Sequence, residues 1–149
     1  MSQSQNRSSL AVVFLRRIPR SLKPYRTGDL KRILRIPAEA PEVGDLEVFD
    51  DTFELTVSVG RWWHRHFGDF YDETLALRQR NERDAAWAIE WILSVLSERT
   101  HLGVQFCEGR LLASGDWYCD EEPRVRLLSK ADEYREFSWT GQLVRRTEG

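Results

Sequence analysis

FELTVSVGRWWHRHF, residues Phe53 to Phe67, decides how the rest of the chain is read. It opens with strict alternation, Leu55, Val57 and Val59 on one side and Glu54, Thr56 and Ser58 on the other, the period of a half-buried strand. It closes with Trp62, Trp63 and a His64-x-His66 pair. Gly60 is the interruption. Read straight through, the strand keeps Arg61, Trp63, Arg65 and Phe67 on the core face and leaves Trp62, His64 and His66 open. A bulge at Gly60 would swap the two faces. The straight reading is preferred because it leaves only flexible Arg stems at the core edge. In either case His64 and His66 share a face.

Working outward, Leu46–Phe49 reads as a strand joined to this one by a turn at Asp50-Asp51-Thr52. On the other side a helix is expected over Glu82–Arg99. Ala85, Ala88, Ile89, Ile92, Leu93 and Leu96 form one broad stripe, with Trp87, Trp91 and Val95 beside it. Asn81 is a possible cap, and Gly103 is placed to follow the C-terminus. Further strands are expected at Val104–Cys107, Arg110–Ser114, Arg124–Leu128 and Tyr134–Leu143, with Glu108-Gly109 as a two-residue turn. Gly28–Ile36 suggests a short helix capped by Asp29. The fold class that follows is α+β: one antiparallel sheet of about five strands with one main helix packed on one face.

The 149 residues are enough for an ordinary domain with a substantial core, supplied in bulk by six tryptophans and seven phenylalanines. No apolar run is long enough to span a bilayer. Cys107 and Cys119 are the only cysteines, which suits free thiols in a reducing compartment, the cytoplasm, rather than a disulfide scaffold. The net charge of -2 hides a division. Residues 1–40 carry nine basic and two acidic side chains, and residues 41–149 carry 13 basic and 22 acidic ones. Residues 1–24, polar and serine-rich at first and free of acids, are expected to form a disordered basic arm that folding does not need, with residues 25–149 as a single domain. An Arg- and Ser-rich segment without acids also resembles an organellar transit segment. Through residues 7–35 such an arm could meet nucleic acid.

His64 and His66 are the sharpest candidates for chemistry. Two imidazoles on one strand face can reach one divalent metal ion, with a third ligand drawn from Asp69, Asp116, Cys119 or His101. The bland reading is a pair of polar strand residues. His101 is expected to cap the helix end, and neither cysteine sits in a motif that lowers its pKa. There is no nucleophile elbow, Walker loop, dinucleotide fingerprint or HExxH motif, so no catalytic residue and no cofactor is assigned. The carboxylates of Asp50-Asp51, Asp69, Asp72-Glu73, Asp120-Glu121-Glu122 and Asp132-Glu133 fall in expected loops. Trp62, Trp63, Trp117 and Tyr118 lie near strand ends, where any that are exposed would suit an interface.

GDLEVFDDTFELTVSVG followed by HRHF, a helix, a strand ending GDWY, and FSWTG resembles short bacterial proteins, some of which serve as immunity partners of toxins. The likeness spans about residues 28–141 and carries no catalytic residue with it. It implies a non-catalytic module that binds a basic protein partner, with Trp62, His64, His66, Trp117 and Tyr118 as binding candidates. A small metal- or ligand-binding protein or enzyme built on the His64/His66 face is the alternative.

Overall fold

The structure is a computed structural model that describes residues 6–68, 74–120 and 130–147. It is α+β, with two four-stranded antiparallel sheets and two α-helices. The elements are α1 (Ser9–Arg17), a 3-10 turn (Lys23–Tyr25), β1 (Arg32–Ile36), β2 (Leu46–Asp50), β3 (Leu55–Val59), β4 (Trp63–Phe67), α2 (Leu77–Leu96), β5 (Thr100–Cys107), β6 (Arg110–Tyr118), β7 (Glu133–Ser138) and β8 (Gly141–Thr147). The first sheet runs β1-β2-β3-β4 and the second β6-β5-β7-β8. The chain divides into two compact units: residues 1–36, 46–58 and 64–92, and residues 37–45, 59–63 and 93–149. The expected single sheet of about five strands is therefore corrected to two sheets of four. The expected strand Arg124–Leu128 lies outside the described residues. Among the described residues no helix is long and apolar enough to cross a membrane.

In the first unit, the stretch expected to be a structureless arm contains α1. Ser8 caps it, its hydroxyl accepting from the Ala11 amide at 3.1 Å. Asp50, at the end of β2, accepts from both the Ser8 amide at 2.8 Å and the Ser8 hydroxyl at 2.7 Å. Leu10, Ala11, Phe14, Ile18 and Leu22 are buried. Their spacing of three and four residues is that of a helix face, cut at Pro19. Asp50 is thus a buried acceptor and not a surface turn residue. Two basic side chains of the segment serve as internal counterions, Arg16 and Arg17 both reaching Glu82, and beyond it Lys31 reaches Asp51 and Arg32 reaches Glu47. The unit as a whole holds 13 basic and 11 acidic side chains, so the contrast between a basic arm and an acidic body is largely cancelled inside it.

The expected helix over Gly28–Ile36 is instead a turn and β1. Asp29 does not cap a helix; its carboxylate accepts from the Lys31 amide at 2.8 Å. The pairing of β1 with β2 shifts register between Arg32 and Leu34, and both Ile33 and Leu34 are buried. That irregularity breaks the two-residue period and imitates helical spacing.

Phe53–Phe67 is not one continuous strand. Gly60 turns back at φ +57, and β3 and β4 are neighbours in a hairpin around Gly60-Arg61-Trp62. Trp63 and Phe67 are buried while His64, Arg65 and His66 are exposed. Helix α2 starts earlier than expected, at Leu77. Gln79 accepts from the Ala76 amide at 3.1 Å, half of a capping box. Asn81 is buried and donates to the Ser9 hydroxyl at 3.0 Å. Ala85, Ala88, Trp91, Ile92 and Val95 are buried, as the stripe predicts, and Trp87 is 49% exposed.

In the second unit, β5 begins at Thr100, so His101 and Gly103 are strand residues and not helix-end groups. Glu98 takes the left-handed conformation after the helix, at φ 62. Its carboxylate is held by the Ser138 hydroxyl at 2.6 Å and by the Thr140 hydroxyl. Glu108-Gly109 is the expected tight turn between β5 and β6. Tyr134–Leu143, read as one strand, is again a hairpin, turning at Trp139-Thr140 before Gly141. Trp62, Trp63, Phe106 and Phe137 form an aromatic cluster with centroid distances of 5.3–6.2 Å, and the Trp63 indole donates to the Gly103 carbonyl at 2.9 Å.

The Glu98 contact predicts a pH dependence. The Ser138 hydroxyl first, then Thr140, holds its carboxyl below the ordinary glutamate value. A depressed folded pKa gives stability that is present above the unfolded value of about 4.3 and lost as pH falls through the folded one. Glu98→Gln should flatten the dependence of Tm on pH below about pH 4.5, relative to the parent. Superimposable acid profiles would show that the contact is absent in solution.

Candidate functional site

The open face of β3 and β4 carries a run of polar side chains. Lys31 contacts Asp51, the Thr56 hydroxyl donates to Asp51, and His66 Nδ1 lies 3.1 Å from Thr56 Oγ1 and 3.0 Å from Glu54 Oε1. The Thr56 hydroxyl directs its hydrogen at Asp51 and the Glu54 carboxylate only accepts. Both contacts therefore require the proton on His66 Nδ1, which leaves Nε2 of the neutral ring as an acceptor. The His64 ring stands edge-on to His66 at 5.2 Å between centroids. His64 and His66 are thus together and exposed, as their shared strand face implies.

Asp51 and Glu54 also line a cleft of about 830 Å³ in the first unit, with Ser8, Leu10, Arg80, Asn81 and Asp84 among its other walls. Phe53 and Leu77 line it too, and they are 87% and 58% exposed. Phe53 projects because it sits in the β2–β3 connection. The Asp51 amide donates to the Glu54 carbonyl at 3.0 Å and the Phe53 amide to the Asp51 carbonyl at 2.9 Å, closing the turn beneath its side chain. The alternation pattern counted Phe53 as the first residue of the strand and so missed it. A turn that exposes a bare aromatic was the signal available.

The other binding candidates separate. Trp117 and Trp63 are 3% exposed and are core residues, so neither can anchor a partner. Trp62 is half-buried in the aromatic cluster, with the Arg61 guanidinium 4.6 Å from its ring centroid. Tyr118 is exposed at the end of β6. His101 Nδ1 lies 3.4 Å from Glu136 within the second unit. Of the proposed third ligands, Asp69 lies outside the described residues, and among the described residues no three His, Cys, Asp or Glu side chains gather to hold a metal ion. Two of the carboxylates placed in expected loops have internal partners: Asp132 accepts from the Glu108 amide and Glu133 contacts Arg135 and Arg145.

No protein-family model, no curated protein and no solved structure matches the chain.

Proposed function

We propose that this protein is a non-catalytic protein-binding module whose partner docks over the Phe53 cleft. The observation that carries this reading is the exposure of Phe53, 87%, at a cleft walled by Asp51, Glu54 and Asp84. A large apolar side chain held out by a closed turn is a ready anchor. Three carboxylates against Arg80 on the cleft walls, although Lys31, His66 and Arg83 already contact them, favour a basic partner surface and make association sensitive to salt. A module of this kind suits an immunity-type inhibitor of a basic toxin domain, as the likeness of GDLEVFDDTFELTVSVG and HRHF to such proteins implies.

The test is a pull-down from native lysate at low and high salt. A stoichiometric basic protein should be retained at low salt and weakened at high salt. Phe53→Ala should cost about 2 kcal/mol or more of binding, typical of an anchor residue. Its Tm should stay unchanged, because so exposed a side chain adds little to the fold. Recovery of no partner, together with turnover in a broad hydrolase screen, would transfer the assignment to an enzyme.

One observation favours a second reading, a site for a divalent metal or small ligand at His64 and His66. Glu54 accepts from His66 Nδ1 and leaves Nε2 as the acceptor, the tautomer that a ligating or basic imidazole needs. Elemental analysis of untagged protein decides it. Substoichiometric metal, with no change on His64→Ala plus His66→Ala, removes this reading.

A further inference from the structure

The first unit carries a second concave feature, an open groove of about 500 Å³ lined by Arg7, Leu15, Arg16, Arg26, Thr27 and Gly28. Three of the six lining residues are arginines. Each spends one contact on being positioned. Arg7 Nη2 reaches the Thr27 carbonyl at 3.5 Å, Arg26 Nε donates to the Lys23 carbonyl at 3.0 Å, and Arg16 Nη2 donates to Glu82 at 3.2 Å. The remaining guanidinium N–H groups are donors without an acceptor role of any kind. Arg7 Nε is buried and meets no acceptor, a state that Arg32 Nε shares outside the groove. A buried donor left in that state costs about 1–3 kcal/mol, and more on a charged group.

We propose that this groove is an oxyanion site that takes a phosphate group. Phosphate oxygens are pure acceptors at matching spacing for a guanidinium fork. The local charge permits it. Glu82 is shared by Arg16 and Arg17, so a single anion meets two cations there. Asp29, next to Gly28, directs its carboxylate to the Lys31 amide. Arg17, Arg20 and Lys23 are exposed in the same segment and extend the positive surface beyond the groove. Folding of α1 and the 3-10 turn is what gathers these residues. A disordered arm would hold the same charges without a site.

The phosphate could belong to a small phosphorylated molecule or to the backbone of a nucleic acid, and the chemistry at the groove is shared. The experiment follows arginine Nε–H resonances of the full chain while pyrophosphate is added, then a single-stranded oligonucleotide. Arg7 and Arg26 should shift saturably with pyrophosphate. Arg7→Gln and Arg26→Gln should each weaken binding about tenfold or more, whereas Arg110→Gln, on the exposed β5–β6 hairpin, should not. Competition by the oligonucleotide, lost steeply as salt rises, identifies a backbone source. Shifts with pyrophosphate that the oligonucleotide does not displace identify a small phosphate. Absence of saturable shifts in the parent protein overturns the proposal, and so does equal weakening by Arg110→Gln. The parent titration stands even if an Arg7 variant folds poorly.

Discussion

Deletion of residues 1–24 should abolish the cooperative melt. Leu10, Phe14, Ile18 and Leu22 are each 3% exposed or less. Burying four side chains of this size contributes about 6–12 kcal/mol at about 1.5–3 kcal/mol each, comparable with the whole stability of an ordinary domain, about 5–15 kcal/mol. The deletion also removes both Ser8 donors from the buried Asp50 carboxylate and leaves it the Thr52 amide alone. Phe14→Ala isolates the packing part. It should cost about 3–5 kcal/mol and lower Tm by about 10 °C or more. A chain starting at Tyr25 that melts like the parent would show that α1 is not part of the folded core.

Hydrophobic periodicity revealed the large elements where it ran uninterrupted. The stripe from Ala85 to Val95 and the alternation from Leu55 to Val59 both describe buried faces. The tight turn at Glu108-Gly109 was readable from its residue types. The failures share physical causes. Alternation continues across a hairpin whenever the loop length keeps parity, so Trp63 and Phe67 looked like more of β3, and Phe137 and Leu143 like one strand. In each case a glycine, Gly60 or Gly141, marked the reversal, and Gly60 was read as an interruption or bulge of one strand. In β1 the register shift hid a strand. Charge misled at the N-terminus: an acid-free, Arg-rich segment looks disordered when Glu82, the counterion of its Arg16 and Arg17, lies far along the chain. For the candidate site, the shared exposed face of His64 and His66 was legible from period two. The cleft was not, because it joins Ser8, Phe53 and Leu77 from distant parts of the sequence.

The hairpin at Gly60 supplies the second large effect. Gly60 adopts φ +57, and a Cβ built there would lie 2.0 Å from the Val43 carbonyl oxygen, far inside any tolerable contact. The obstacle is backbone, and the same segment is tied to Gly60 by its amide, which donates to the Asp45 carbonyl at 2.9 Å. Relief therefore requires moving the chain from Val43 to Asp45 and breaking that bond. The left-handed conformation alone costs an L-residue about 1–2 kcal/mol, and the clash should bring Gly60→Ala to at least about 4 kcal/mol, in the exceptional range for a single substitution. Two controls separate the terms. Gly109 is also left-handed, at φ +76, but a Cβ there meets nothing within 4 Å, so Gly109→Ala should cost only about 1–2 kcal/mol. Gly28 has open space and no positive φ, so Gly28→Ala should be neutral or slightly stabilising through the unfolded chain. Chemical denaturation of the three variants measures the series. If Gly60→Ala proves no worse than Gly109→Ala, the close approach of the Val43–Asp45 segment to the β3–β4 turn is wrong, and the long strand through Gly60 returns as the better description of Phe53–Phe67.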